Sequence, residues 1–290
     1  MGKSTQVSSP APLYYLRLLV SFTLLLFVAG AASAKTDSAG YKAVLVMDAE
    51  SGEVLHQENG YDEVIPASLV KMMTGLIVFD RIGKGKLSLL EQYTVSAKAS
   101  RIGGHQVYLK QGETFTIGQL LKAVLIGSAN DAAYAIAEHI GGTHEAFVKM
   151  MNSKARQIGM KHTVFTNAHG LPPNRRKGQK DNKTTAYDMA LLGRDLIKHP
   201  LAKRWASTEL DSFRDGTFQL INTNRLFLRT VEGAEGLKTG YHSRGAGFNL
   251  VGSAVREDRR LLVVVMGAKN PRGRVKVAGK LLDRAFAGKL

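Results

Sequence analysis

Ser68 and Lys71 stand three positions apart at the start of an apolar run, a spacing that suits nucleophilic catalysis. Residues 69–79 are apolar on more than one face and predict a buried helix of about three turns. Positions three apart share a face of a helix, so the Lys71 amine can lie beside the Ser68 hydroxyl. A lysine whose pKa is lowered by burial or by another cation can take the proton of a serine nucleophile. Taken alone, the pattern is more typical of a solvated lysine near a helix start.

A second pair of polar side chains, Ser128 and Asn130, falls between two helical patterns. The first pattern covers residues 116–126, with Thr116 as its expected N-cap, and the second starts at Asp131. A short connection between helices lets its side chains project into a cleft. The sequence therefore predicts that this pair lines a cleft.

A third group, Lys238-Thr239-Gly240, precedes the segment 245–254, whose glycines and alternating apolar residues predict a strand. A lysine and a hydroxyl at a sheet edge can hold a substrate carboxylate, and a glycine beside them allows close approach. Each of the three patterns occurs once, and they come in the order helix, loop and strand. Together they are a strong indication of a serine acyl-transfer site.

Longer segments around these patterns resemble one known family. Residues 65–74 are similar to the nucleophile segment of the serine D-alanyl-D-alanine carboxypeptidases, the low-molecular-mass penicillin-binding proteins. Residues 165–171 and 184–190 match the middle of that family, and residues 235–241 match its strand motif with the usual lead-in. The resemblance extends from about residue 41 to about residue 272, and none of the motifs departs from the family pattern.

The resemblance implies a reaction and a role for each motif residue. Ser68 attacks the D-Ala-D-Ala carbonyl and becomes acylated, while Lys71 takes the hydroxyl proton. Ser128 relays that proton to the departing D-alanine amine. Asn130 holds both Lys71 and the substrate amide by hydrogen bonds.

The strand motif is expected to bind the substrate. Lys238 and Thr239 contact the terminal carboxylate, a charge-assisted interaction, and Gly240 gives the substrate room. The backbone N–H groups of Ser68 and Tyr241 hold the oxyanion. The expected partners are peptidoglycan stem peptides ending in D-Ala-D-Ala, with β-lactams as covalent inhibitors that are released slowly.

Three other functions remain open on sequence grounds. A DD-endopeptidase that cuts D-Ala cross-links uses the same motifs, and only the groove's room for a second stem peptide decides between the two. A serine β-lactamase of one major class needs a glutamate in the loop before the strand motif, and residues 166–184 contain none. A catalytically inactive protein that binds the cell wall is disfavoured because every motif residue is intact.

The expected fold is of the mixed α/β (α+β) class, like that of serine β-lactamases and DD-peptidases. Strand patterns occur near both ends of the chain, at 42–48, 53–56, 218–220 and 246–266, with Ser51-Gly52 as a hairpin turn. Residues 66–200 are mostly helical in pattern, and residues 274–286 predict a C-terminal helix. An antiparallel sheet formed from both chain ends should therefore pack against a mostly helical subdomain, with the active site in the groove between them.

The first 34 residues have the features of a secretory signal peptide. Lys3 and Arg17 make the start basic, an apolar stretch follows, and small residues precede Ala34. The stretch is short for a membrane span of roughly 20 residues, although an uncleaved anchor remains an alternative. We expect export to the periplasm or cell envelope as a soluble single catalytic domain, residues 35–290, without a β-rich domain or C-terminal anchor.

Composition limits the remaining partners. The formal net charge is +16, and it is +14 without the two basic residues of the leader, which favours electrostatic association with an anionic wall or membrane surface. A nucleic-acid role is not expected for a secreted chain that lacks an aromatic-basic stripe. No cofactor or metal is expected: there is no cysteine, and His139 and His144 lack the helical spacing of a metal pair.

Overall fold

The computed structural model describes residues 1–6 and 40–290, and every regular element lies in the second range. The strands are β1 Ala43–Asp48, β2 Val54–Glu58, β3 Gln92–Thr94, β4 Thr114–Thr116, β5 Leu210–Phe213, β6 Phe218–Ile221, β7 Ala234–His242, β8 Gly247–Arg256 and β9 Arg259–Ala268. The helices are α1 Lys71–Gly83, α2 Ile117–Leu125, α3 Asn130–Gly141, α4 His144–Gln157, α5 Ala186–Leu196, α6 Pro200–Ser207, α7 Arg225–Thr230 and α8 Pro271–Phe286. Short 3₁₀ turns occupy Ala67–Val70, Ala99–Arg101 and Arg175–Lys177.

The main sheet is antiparallel and has the strand order β2-β1-β9-β8-β7. Its centre joins the two ends of the described domain, because β1 pairs with β9 and Leu45 stands opposite Val264. β7 lies at one edge and pairs with β8, with Lys238 opposite Val251. The prediction of an antiparallel sheet formed from both chain ends is confirmed.

Two hydrophobic layers cover the two faces of this sheet. Along β9, Leu262, Val264 and Met266 pack into the larger core with the helical region, whereas the intervening Leu261, Val263 and Val265 join a smaller core with α8. Successive side chains of a strand point to opposite faces, so both sets are buried only when each face is covered. The run of apolar residues in this strand therefore reflects a sheet between two layers.

The predicted strand near residue 218 forms, but it does not join the main sheet. β6 pairs with β5 in a separate two-stranded hairpin, with Phe213 opposite Phe218. Arg214 and Asp215 in its turn both have positive φ, at 55° and 50°. This hairpin lies on the helical side of the domain, where Phe213 stacks on Phe115 with ring centroids 4.9 Å apart.

Most of the proposed leader, residues 7–34, lies outside the described residues. Across residues 1–6 and 40–290, no helix is long and apolar enough to cross a bilayer.

Candidate active site

The nucleophile candidate Ser68 lies in the 3₁₀ turn just before α1, not within the helix itself. Leu69 and Val70 of this turn are fully buried and anchor it in the core. A side chain at Gly240 of β7 would place its Cβ 3.0 Å from the Ser68 nitrogen, and one at Gly170 would place it 2.1 Å from the Ala67 oxygen. Both positions therefore need glycine so that their backbones can approach the turn.

Lys71 is the first residue of α1 and its side chain is fully buried. Its Nζ lies 3.0 Å from Ser68 Oγ, as the three-residue spacing predicts. The amine also donates to Asn130 Oδ1 at 2.7 Å and to the His169 carbonyl at 2.5 Å. A neutral amine has two hydrogens and one lone pair. Since two carbonyl-type oxygens accept the hydrogens, the lone pair of a neutral Lys71 faces the Ser68 hydroxyl.

Burial, and then the charge of Lys238, hold the pKa of Lys71 well below its usual value. The charge of Asp131 opposes this shift. Asp131 is itself fully buried, and its carboxylate accepts the Leu109 N–H at 3.0 Å and the Val107 N–H at 3.2 Å. Because the carboxylate bonds to backbone N–H groups and not to Lys71, the amine keeps its own acceptors.

Ser128 lies in the connection between α2 and α3, and Asn130, the first residue of α3, contacts Lys71. Thr116 caps α2 together with Gln119, as predicted, and the chain then turns through Ser128, whose φ is +61°. Asn130 donates from Nδ2 to the Gly103 carbonyl at 2.8 Å while its Oδ1 accepts from Lys71. This amide is therefore fixed between the helix that carries Lys71 and the loop around Gly103.

On the opposite side of the cleft, Lys238 and Thr239 lie in the buried middle of the edge strand β7. The Thr239 hydroxyl donates to Thr223 Oγ1 at 2.7 Å, and Lys238 Nζ lies 3.4 Å from the same oxygen. Thr223 accepts in both contacts, so its own hydroxyl proton remains available to a ligand. Thr223 is held in place by its neighbour Asn222, whose Nδ2 donates to the Ala206 and Thr208 carbonyls.

Among the described residues, the cleft lining includes the cation Arg274 but no Asp or Glu. Burial, and then the charge of Arg274, lower the pKa of Lys238 to about 7. Arg274 is 8% exposed, and burial lowers its pKa to about 10. Its Nη1 donates to the Asn249 carbonyl at 3.1 Å, but its buried Nε has no partner within the described part of the chain. Two buried cations of this kind form a favourable site for an anionic ligand.

A cleft of about 480 Å³ joins the two sides. Of the residues singled out in the sequence, those that line it are Ser68, Ser128, Asn130, Thr239, Gly240 and Tyr241. Lys71 and Lys238 lie behind this lining, at 0% and 1% exposure. At the rim, the half-exposed Tyr241 ring stacks on Phe248 with centroids 4.1 Å apart. The seven residues of the three motifs and Tyr241 therefore meet at one cleft.

Sequence reasoning missed Asp131, Thr223 and Arg274. Asp131 had a usable signal, because it directly follows the Ser128-x-Asn130 motif. Thr223 stands between two asparagines in an irregular segment, and Arg274 is one of many basic residues near the C terminus. Neither has a local pattern that marks it, and only the fold brings them to the cleft. In the described residues, no cluster of three or more side chains could ligate a metal ion.

Comparison with protein families gives one match over most of the chain. A family model described as D-alanyl-D-alanine carboxypeptidase matches residues 30–270. The chain is 36% identical over 249 residues to D-alanyl-D-alanine carboxypeptidase DacF of Bacillus subtilis, with 85% of this chain and 62% of that protein covered. It is 37% identical over 251 residues to DacC of Escherichia coli, with 84% and 61% covered. The chain thus spans less than two thirds of the length of these relatives.

A solved structure agrees in fold. Penicillin-binding protein D2 of Listeria monocytogenes, in its ampicillin-bound form, superimposes with a TM-score of 0.76 at 30% sequence identity. The match covers 85% of this chain and 97% of that one. This architecture has therefore been seen experimentally: an antiparallel sheet is formed by strands from both ends of the chain, with a helical region between them in sequence.

Proposed function

We propose that this chain is a serine DD-carboxypeptidase, because it belongs to the D-alanyl-D-alanine carboxypeptidase family. It removes the terminal D-alanine from peptidoglycan pentapeptide stems through an acyl-enzyme on Ser68. The observation that carries this proposal is the buried Lys71 amine, whose two hydrogens are taken by Asn130 Oδ1 and the His169 carbonyl, 3.0 Å from Ser68 Oγ. This arrangement supports a base that is already neutral and aimed before the substrate arrives.

In the acylation step, Ser68 Oγ forms a bond to the carbonyl carbon of the D-Ala-D-Ala peptide bond. Its proton passes to Lys71 Nζ, and the carbonyl oxygen becomes an oxyanion that the N–H groups of Ser68 and Tyr241 stabilise. Ser128 then relays the proton to the leaving nitrogen as the C–N bond breaks. Asn130 fixes Lys71 and the substrate amide meanwhile. In deacylation, water adds to the ester carbonyl carbon, the bond from that carbon to Ser68 Oγ breaks, and one water proton returns to Oγ. The shortened stem leaves with the water oxygen in its new carboxyl group.

The terminal carboxylate of the substrate belongs on the sheet side of the cleft. Lys238 and the free proton of Thr223 supply its hydrogen bonds, and Thr239, which donates to Thr223, lines the cleft beside it. Arg274 adds a second positive charge. Gly240 lets the substrate backbone lie against β7. A carboxylate bound here compensates the buried cations, which explains why a free C-terminal carboxylate, and not an internal peptide, is the favoured substrate.

DD-endopeptidase activity is a second candidate that one observation favours. Beyond Thr223 and His105 the cleft continues into a pocket of about 300 Å³ beside β6, with Phe218 and Val107 in its wall. A leaving group larger than D-alanine would extend in this direction. Incubation with a defined pentapeptide and with cross-linked muropeptides distinguishes the two activities by the product that is released.

A labelled penicillin tests the enzyme hypothesis directly. We expect the purified protein to become covalently labelled, Ser68→Ala to remain unlabelled, and the control Ser207→Ala, at an exposed serine of α6, to label like wild type. Absence of label on the intact protein would contradict the proposal and favour an inactive wall-binding protein. Rapid loss of the label would favour a serine β-lactamase instead.

We further propose that residues 1–34 direct export and that the basic surface associates with anionic wall or membrane polymers. The exposed Arg176, Lys177 and Lys180 lie in a loop whose first residues reach the cleft at Pro172. Mass spectrometry of the exported protein tests cleavage after Ala34. The fraction of protein that sediments with isolated cell walls should fall as salt is added, because salt screens exposed charges. The fall should be steeper for wild type than for a variant in which Arg176, Lys177 and Lys180 are all replaced by glutamate.

A further inference from the structure

A short segment of the chain, residues 167–171, holds the candidate base in place. The His169 carbonyl accepts from Lys71 Nζ at 2.5 Å, and the Ala168 carbonyl accepts from Thr74 Oγ1 on the next turn of α1 at 3.0 Å. Gly170, with φ +81°, packs against the backbone of the Ser68 turn. A small displacement of this segment would therefore move both the nucleophile and its base.

Some of the bonds that order the segment are local. Asn167 Oδ1 accepts the N–H of Gly170 at 2.6 Å, and His169 Nδ1 accepts the N–H of Leu171 at 3.1 Å. Besides the bonds from α1, others come from distant residues: the Asn167 N–H donates to Asn182 Oδ1 at 3.3 Å, and the Ala168 N–H donates to Nε2 of His144 at 3.2 Å. His144 is the first residue of α4 and follows the N-cap Thr143.

The ring of His144 is held in a stack of three aromatic side chains. It lies 4.8 Å from the Tyr134 ring of α3 with an interplanar angle of 12°, and 5.7 Å from the His169 ring with an angle of 24°. The stack fixes the plane of the imidazole, and so the direction of its Nε2 lone pair. Because a backbone N–H donates to it, Nε2 must be unprotonated, and a neutral His144 carries its hydrogen on Nδ1.

We propose that His144 is a positioning residue for acylation: its Nε2 accepts the Ala168 N–H and so fixes the carbonyl of His169 that orients Lys71. The proposal rests on the function proposed above, since it concerns the same Ser68–Lys71 pair. His144 does not touch the cleft lining, and acts only through the segment 167–171.

The charges around the two histidines support neutral imidazoles at neutral pH. Burial lowers the pKa of His144, against the nearby carboxylates of Glu145 on its own helix and Glu138 on α3. Burial, and then the charges of Lys71 and His144, hold the pKa of His169 well below its usual value. The start of a helix also disfavours a cation at His144. Both nitrogens that face the segment therefore stay available as acceptors.

Two substitutions at one position separate the hydrogen bond from the packing. His144→Phe keeps an aromatic ring in the stack but removes the acceptor, whereas Oε1 of His144→Gln can stand where Nε2 accepts the Ala168 N–H. We expect His144→Phe to lower the acylation rate constant for labelled penicillin about tenfold. The penicillin concentration at which acylation reaches half of its maximal rate should change little. His144→Gln should recover most of that rate. His139→Gln, at a histidine that bonds to Glu91 instead, is the matched control and should behave like wild type.

The outcomes distinguish this inference from the function on which it rests. If wild type is not labelled at all, the proposed function fails. If wild type is labelled and His144→Phe acylates at the same rate, or if His144→Gln is as slow as His144→Phe, the positioning role is overturned. Equal melting temperatures of the two variants show that a rate difference does not come from unfolding. Nitrogen NMR of the imidazoles should also show protonation of His144 at Nδ1 only, and protonation at Nε2 would contradict the proposed contact.

Discussion

Two lysines face each other across the candidate active site, and the structure gives the same side chain different surroundings on the two sides. Lys71, on the helical side, is enclosed by the oxygen acceptors of Asn130 and His169, and its pKa lies well below the usual value. Lys238, on the sheet side, contacts a hydroxyl and a carbonyl, and its pKa is lowered to about 7. Both are fully buried, so burial alone does not distinguish them.

The two lysines differ in which positive charge acts on each of them. Arg274 lowers the pKa of Lys238, and Lys238 in turn lowers the pKa of Lys71. Lys71, whose pKa lies well below its usual value, can therefore serve as a base, whereas a bound anion would keep the proton on Lys238, whose pKa is about 7. In this way three neighbouring basic residues, Arg274, Lys238 and Lys71, can provide an anion-binding site at one end and a base at the other, because each lowers the pKa of the next.

The largest effect is expected from removing the base. Lys71→Met should lower the acylation rate constant by about 10³-fold, because general-base catalysis of this kind contributes roughly 10²–10⁴-fold. Stopped-flow measurement with labelled penicillin gives the rate, and circular dichroism confirms that the variant is folded. A decrease of less than tenfold would show that another group takes the Ser68 proton.

The next largest effect is expected from removing the charge of Lys238, which contacts the substrate carboxylate and also lowers the pKa of Lys71. Lys238→Met should lower kcat/KM for a D-Ala-D-Ala peptide by about 10²-fold, because a buried charge-assisted contact to the carboxylate is lost. It should also move the acid limb of acylation to higher pH, since Lys71 no longer has a cation beside it. An acid limb that stays in place would break the proposed link between the two lysines.

The pH dependence of wild type sharpens the same comparison. Lys238 in the free enzyme loses its charge as pH rises through about 7, so kcat/KM should fall above that pH, by up to tenfold per pH unit. The fall should appear in KM more than in kcat, because a bound carboxylate holds the proton on Lys238. In Lys238→Arg the alkaline limb near pH 7 should be absent, since even a buried guanidinium keeps its proton well above that pH. An unchanged limb in that variant would assign it to another group.

Arg274→Gln should give the smallest effect, a several-fold rise in KM. Two consequences of this change oppose each other: one positive charge near the carboxylate is lost, but the pKa of Lys238 rises because Arg274 no longer repels its proton. The alkaline limb of kcat/KM should therefore move to higher pH even as KM increases. A limb that moves to lower pH would contradict the order of charges described here.

Local sequence patterns predicted much of the fold and the main members of the site. The period-2 strands at both ends, the Thr116 cap and the Ser68–Lys71 spacing each depend on neighbours within a few positions, and each appears in the structure. The hairpin β5–β6 shows the limit of such patterns. A strand can be predicted from its own residues, but its partner depends on where the chain returns, so the separate sheet was not foreseen.

The residues that tune the site were not predictable in this way. Thr223, Arg274 and His144 act through contacts with parts of the chain that are distant in sequence, and no short pattern surrounds any of them. The spacing of His139 and His144 in the sequence is not that of a metal pair and predicts no other contact for them, whereas the fold places His144 against Ala168 and His139 against Glu91.

The sequence by itself determined which groups can react: a serine one helical turn from a lysine, a Ser-x-Asn connection and a Lys-Thr-Gly strand. Those choices are local, because helix and strand periodicity place near neighbours on one face. Only the tertiary structure decided how the pKa values of the two lysines are lowered. Those shifts depend on burial and on charges brought together from β7, α1 and α8, and the interaction between charges depends on distance in space and not along the chain.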